Sequence, residues 1–374
     1  MNAIVLRFPI LILCYFTFTN YILSQNLENE NKSYKKITLN LIGEQVLDAN
    51  LVFENTKVGG LSGIDYTNGI WHLISDDSQK PVRFYEMNLT FNDTSFTAVE
   101  ILKVNKLLNS KGIAFEQKTI DGESIRFDTT LNKFIWTSEG ALSLGIQPTL
   151  FETDPKTLVS FPIKKISKEQ QGIPNGSLEG LSIGYHTNEY WFSMELPLKE
   201  DGEPATFTIN NSPVRLSCFD KKTKKIKKQY AYILDKVALK PKAETDLAIN
   251  GLVEILAISP TQFLTMERSY TSNYGTNGNT VKIFLSTLTN ATDIRNIKSL
   301  KKSNFTAIKK ELILNLDAIK NQLPSKRIDN LEGMCIGPKL SNGNNSLVLV
   351  ADNNFNKFGE QLNQFIVFEL VPPF

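Results

Sequence analysis

Apolar and polar residues alternate along this chain in short runs of period two, interrupted every few residues by Gly, Asn or Asp. Such runs read as short strands joined by tight turns. The alternation is organised into a longer unit: a Gly/acidic turn, a short apolar strand, a polar turn, then an aromatic-rich strand ending in acids. The copies are GLSGIDYTNGIWHLISDD (60–77), DGESIRFDTTLNKFIWTSEG (121–140), LEGLSIGYHTNEYWFSMEL (178–196), NGLVEILAISPTQFLTMERS (250–269) and LEGMCIGPKLSNGNNSLVLVADNN (331–354). Anchored on Ile64, Ile125, Ile183, Ile255 and Ile336, they recur at 61, 58, 72 and 81 residues. A propeller blade of four short strands needs roughly 40 to 50 residues, more with long loops. Segments such as VRFYEMNL, VRLSCFD, KQYAYIL and KIFLSTL supply the other strands. The expected fold is therefore all-β, a six-bladed β-propeller with five blades marked by the repeat and one unmarked. The segment KKITLNLIGEQVL can pair with the last strand, QFIVFEL, and close the ring, which removes free sheet edges. Only FTAIKKELILNLDAIKNQL (305–323) departs, with apolar residues at Ile308, Leu312, Leu316 and Ile319 predicting a short helical insertion.

Gly180-Leu181-Ser182-Ile183-Gly184 matches the G-x-S-x-G elbow that presents a nucleophilic serine. The elbow needs a helix after the serine, whereas YHTNEYWF reads as a turn feeding a strand. The pentapeptide also recurs with cysteine, Gly333-Met334-Cys335-Ile336-Gly337, and loosely as Gly60-Leu61-Ser62-Gly63-Ile64. Recurrence favours a structural role, and His186 with no third partner makes a poor triad.

The first residues, MNAIVLRFPILILCYFTFTNYILSQ, carry one Arg, an apolar stretch too short to cross a bilayer and a small residue before Gln25. Residues 1–24 read as a secretory signal, 25–37 as a linker and 38–374 as the propeller, so the protein is expected to be secreted or periplasmic, with no membrane span. With 41 basic and 39 acidic residues, nucleic-acid binding is not expected, and the run from Lys221 to Lys228 reads as a solvated hairpin tip. Cys218 and Cys335 permit at most one disulfide, whose existence is left open.

Propeller repeats bring equivalent positions together around a central channel. The turns carry Glu123, Glu179, Glu254 and Glu332, and the strand ends carry Asp76, Asp77, Glu139, Glu195, Glu267 and Asp352. Carboxylates packed this densely repel and raise each other's pKa, so a cation should accompany them. Calcium fits best, since it takes six to eight oxygen ligands, Asn250, Asn330, Asn353 and Asn354 can add carbonyl oxygens, and only His72 and His186 are present for softer metals. Acids beside glycine also brace turns without any ligand. Arg126 and Arg268, each close to a ring acid, are either partners in salt bridges or clamps for a substrate anion.

GGLSGIDY with WHLISDD, DGESIRF with FIWTSEG, SLEGLSIG with EYWFSMEL, TQFLTMERSY, and NLEGMCIGP with LVLVADNNF resemble the phytase-like family, labelled esterase-like activity of phytase, over roughly residues 38–371. The resemblance implies an exported β-propeller with hydrolase activity, and it supplies no established catalytic residues. The expectation is a monomeric, calcium-dependent hydrolase acting on a small ester or phosphoester. Glu123, Glu179, Glu267 and Glu332 are candidate catalytic acids and Arg126 and Arg268 candidate substrate clamps. Asp76, Asp77, Glu139, Glu195, Glu254 and Asp352 are the candidate metal ligands. A non-catalytic binding propeller and a lactonase-type propeller are the alternatives.

Overall fold

The alternating runs fold into five four-stranded antiparallel sheets in a computed structural model that describes residues 36–373 apart from 79–80, 168–175 and 358. The signal segment and residues 25–35 lie outside the described residues. The innermost strands are Leu61–Thr67, Gly122–Asp128, Leu178–Ile183, Ala248–Ala257 and Leu331–Lys339, and each is followed by its repeat partner: Ile70–Ser75, Lys133–Ser138, Glu189–Met194, Gln262–Thr271 and Asn345–Ala351. These partner strands are almost wholly buried, because apolar layers cover both faces. Each layer joins two neighbouring blades, as where Leu264 and Met266 of the fourth blade meet Leu347 and Leu349 of the fifth. Outer strands such as Phe96–Lys106 alternate buried and exposed.

The fifth sheet is completed by the start of the domain. Thr38–Leu47 pairs antiparallel with Asn363–Val371, from Thr38 opposite Val371 to Leu47 opposite Asn363. The ring therefore closes as the sequence suggested, but with five blades rather than six. Among the described residues no sixth four-stranded sheet is present, and the longer intervals between blades are taken up in part by long loops. Arg215 holds two of them, donating to Asp201 at 2.6 and 2.8 Å and to the Ile297 carbonyl at 3.0 Å, while Asp201 also accepts from the Leu300 amide. The expected helical insertion is also corrected. Lys309–Asn315 is the outer strand of the fourth blade, paired with Asn279–Thr287, and is followed by the short 3-10 turns Leu316–Ala318 and Lys320–Gln322. Ile308, Leu312 and Leu316 are spaced by four, which satisfies a helical face and also period two. Leu312, which a core-facing helix would bury, is 52% exposed.

The lysine-rich run is a hairpin tip between Ser212–Asp220 and Lys225–Leu234, with Asp220 accepting from the Thr223 amide. Cys218 and Cys335 are both buried and free. Among the described residues no helix is long and apolar enough to cross a membrane.

The pentapeptide now has a physical explanation. Near the axis the innermost strands approach so closely that a Cβ on Gly63 would lie 2.6 Å from the Glu123 carbonyl oxygen, on Gly180 3.1 Å from the Ile255 nitrogen, and on Gly333 2.9 Å from the Ser62 carbonyl oxygen. Each glycine lets the next blade in. Gly333→Val should therefore destabilise the protein by about 1–3 kcal/mol through overpacking, read as a lower urea midpoint with an unchanged denaturant slope. An unaltered midpoint would show that the blades do not rely on this contact.

Candidate functional site at the channel mouth

In every blade the pairing of the first two strands slips by a bulge in the innermost strand, near its start in all but the fourth. A bulge re-aims one side chain, and the residues so placed are Ser62, Glu123, Glu179, Val253 and Glu332. The second strand contributes the residue following the partner of Leu61, Gly122, Leu178, Leu252 or Leu331. These residues are Asp76, Glu139, Glu195, Arg268 and Asp352. Four blades thus place an acid at one equivalent position and the fourth places Arg268.

All of these except Ser62 and Val253 line one cleft of about 760 Å³. Asp76, Asp121, Glu123, Glu139, Glu179, Glu195, Glu332 and Asp352 all face it. Carboxylate oxygens of Asp76, Asp121 and Glu123 lie within 4.8 Å of one another, as do those of Glu123, Glu139 and Glu179. Arg268 Nη2 donates to Glu332 Oε1 at 3.0 Å and to Glu195 Oε1 at 3.3 Å, and Asn330 Nδ2 donates to Glu332 Oε1 at 3.0 Å. Among the described residues, five buried atoms of the cleft lining have no hydrogen-bond partner: Asp121 Oδ1, Arg268 Nε, Asn279 Oδ1, Arg327 Nε and Gln361 Oε1.

Burial and mutual repulsion shift the acids upward. Asp76, Glu123, Glu179 and Asp352 are raised well above the carboxylate range, first by burial and then by neighbouring carboxylates. Burial, with Glu195 alongside, pushes Glu139 up to about 8. Burial also lifts Glu195 to about 7 although Arg268 pulls it down, and it raises Glu332 against the same pull.

Other expected site residues lie elsewhere. Glu254 sits one residue beyond the bulge, deeper in the channel, and pairs with Arg126 at 2.7 Å. Arg126 also donates to the carbonyls of Ile64, Ile125 and Met334 through its terminal nitrogens, and neither residue lines the cleft. Glu267 sits one residue before Arg268 and points away, accepting from Tyr232 Oη at 2.8 Å, Asn250 Nδ2 at 2.7 Å, the Asp235 amide and Lys310. Asp77 pairs with Arg83 at 3.0 Å. Asn330 and Asn354 face the cleft, whereas Asn353 braces the Gly60 amide. Asp121 was missed, although the Asp-Gly-Glu turn at 121–123 carries it beside Glu123.

Ser182 is 3% exposed. Its Oγ donates to the Ile183 carbonyl and accepts from the Ala257 amide, both at 2.9 Å, tying the third blade to the fourth.

The fold and the site together define a five-bladed β-propeller with a cluster of acids in the cleft at its mouth. The chain belongs to the phytase-like family described as esterase-like activity of phytase, whose model matches residues 56–355. A search of curated proteins found no match. Among solved structures, the chain is similar to a GH43_12 protein retrieved from capybara gut metagenome (10% identity, TM-score 0.41, covering 89% of this chain and 57% of that one). It is also similar to the Bombyx mori GH32 β-fructofuranosidase BmSUC1 (9%, 0.39, 89% and 62%) and to the Malassezia sympodialis allergen Mala s 1 (9%, 0.38, 84% and 94%). The chain spans less than two thirds of the length of the first two. The family description carries an esterase-like activity, and the acid groups can hold a metal ion.

The raised carboxyls fix the sign of a pH effect. Each binds its proton more tightly folded than unfolded, so the folded state holds more protons between the ordinary glutamate value of 4.5 and the shifted values of about 7 and 8. Stability should then be fullest below pH 4.5 as far as these groups are concerned and be lost as pH rises toward 8. In chelator the melting temperature should fall over this window, and millimolar calcium should remove most of the fall. Parallel curves with and without calcium would take the ion out of the site. Ser182→Ala should cost about 1–3 kcal/mol, because the Ala257 amide loses its acceptor, and a fluorophosphonate probe should label neither variant nor parent.

Proposed function

We propose that this chain is an exported, calcium-dependent hydrolase that cleaves an ester or phosphoester held at the acid-lined mouth of the propeller. The observation that carries this reading is the pair of carboxylate triads sharing Glu123, Asp76 with Asp121 on one side and Glu139 with Glu179 on the other. Such a donor set suits a hard cation with flexible oxygen coordination. It does not suit a soft metal, since His72 is buried among Phe84 and Phe134 and both cysteines lie outside the cleft lining. Asp76, Asp121, Glu123, Glu139 and Glu179 would hold the ion. When bound, calcium supplies polarisation of the carbonyl or phosphoryl oxygen and acidifies a water.

The chain's own residues complete the chemistry. Glu195, with its carboxyl near 7, is matched to accept a proton from water at neutral pH, where a general base works best. Arg268 is fixed by Glu332 and Glu195, and its Nε–H, free of partners, is available to the oxygen on which negative charge develops. Glu332, anchored by Arg268 and Asn330, holds that guanidinium in place. Export rests on the character of residues 1–24, and N-terminal sequencing of the exported protein is expected to begin near Gln25.

In calcium, Glu195→Gln should retain the parent's melting temperature and calcium affinity yet lose about 10²-fold or more in kcat on a reactive aryl ester or aryl phosphate. Arg268→Lys should also lower kcat, because a single ammonium cannot reproduce the fork. If rate and calcium affinity fall in step in Glu195→Gln, that residue is a ligand and not the base. If no ester or phosphoester is turned over, the reading gives way to a calcium-stabilised binding propeller.

A further inference from the structure

The fourth blade is built differently from the others at the cleft. In the other four blades the innermost strand begins within one residue of its bulge, but in the fourth it begins at Ala248, well before Val253. Its partner strand likewise continues from Arg268 to Thr271. The extra pairs raise a wall about 10 Å above the acid ring at roughly 3.3 Å per residue. Period two decides what the wall presents. Leu247 and Ile249 lie on one face of the first strand, and Arg268, Tyr270 and Ser272 share the matching face of the second. All of them line the cleft. Ile249 is directly opposite Tyr270, and Tyr270 is opposite Asn279 on the third strand. Leu247 is 59% exposed, and no hydrogen bond is made by the Tyr270 hydroxyl among the described residues. A cleft whose floor is almost entirely charged thus has one apolar, aromatic side.

The charge around that side restricts what it can receive. Two guanidiniums, Arg268 and Arg327, face ten cleft carboxylates once Asp329 and Glu360 are counted with the ring. Arg327 is already paired with Asp329 at 3.0 Å and Glu360 at 2.7 Å. A polyanion would enter against this field even with calcium bound.

We propose that Leu247, Ile249 and Tyr270 form a specificity subsite for the apolar acyl or aryl portion of an uncharged or singly charged ester, which selects such substrates over polyphosphates. The proposal rests on the hydrolase reading above for its chemistry and on the fourth-blade wall for its selectivity. The scissile group would reach Arg268 and the acid ring while the apolar group lies along Ile249 and the Tyr270 ring. A hydrophobic contact of this size discriminates by about 10- to 200-fold.

The test uses the full exported protein in calcium with para-nitrophenyl acetate, hexanoate and benzoate, para-nitrophenyl phosphate and inositol hexakisphosphate, and measures binding of phenylacetamide separately by calorimetry. Hexanoate or benzoate should exceed acetate in kcat/KM by about tenfold or more, and the polyphosphate should be the poorest substrate and competitor. Tyr270→Ala and Ile249→Ser should collapse the ratio toward one and weaken phenylacetamide tenfold, with the calcium-induced rise in melting temperature retained. Tyr270→Phe, which keeps the ring, should restore the ratio. Wall-dependent amide binding with no turnover of any ester would sink the hydrolase reading and leave the subsite standing. Ester turnover that ignores the acyl group and is the same in Tyr270→Ala would overturn the subsite and leave the hydrolase standing. Preference for inositol hexakisphosphate over the amide would also overturn it.

Discussion

Repulsion among carboxylates at the channel mouth is the constraint on which the rest of the site depends. Two unit charges 4 Å apart repel by about 1 kcal/mol even in water, and by more where water is thinned. Closing five blades around one axis forces equivalent positions together, so an acid repeated in each blade would multiply that cost. The chain relieves it in three ways. Arg268 takes the place of an acid in the fourth blade and bonds two of the others. Burial and mutual proximity raise the proton affinity of Asp76, Glu123, Glu179 and Asp352. The third is open to a ligand, since Asp76, Asp121, Glu123, Glu139 and Glu179 are grouped closely enough to hold a metal ion. A ring held at this cost without a ligand would be a poor structural device, since apolar residues would close the same channel without repulsion.

The repeat itself was legible because its signal is chemical as well as periodic: acid, glycine and aromatic residues return in fixed order. So was closure by the first strand, which needs only a free alternating segment at each end. The blade count was not, because interval length does not distinguish an unmarked blade from loops held by one buried arginine, as Arg215 holds them. The helix at 305–323 failed for a related reason. A spacing of four is common to both periods, and the deciding fact, that Leu312 faces solvent, belongs to tertiary structure.

The expected acids line the cleft where each copy keeps its register and turn away where the fourth does not. Glu254 and Glu267 look like members of the acid series, yet each is one residue away from the position that faces the cleft. In a strand that offset turns the side chain to the opposite face. The equivalent positions in that blade are Val253 and Arg268, visible only once Leu252 is paired with Glu267. Asp77 differs from Asp76 in the same way and spends its charge on Arg83.

The displaced Glu254 explains why the site faces only one way. One level below the mouth it meets Arg126, and the pair is sealed by the carbonyls of Ile64, Ile125 and Met334 and the amides of Leu181 and Ile255. Removing either partner would leave a buried charge without compensation, a loss of about 3–5 kcal/mol, so the plug is fixed in place and not a gate. All five innermost strands contribute to it through backbone or side chain. A ligand drawn to the mouth meets the acids and the fourth-blade wall in the same cleft. The two departures of that blade from the repeat act together: moving its acid inward closes the floor of the cleft, and putting Arg268 in the ring beneath an apolar wall gives the otherwise like-charged ring a direction.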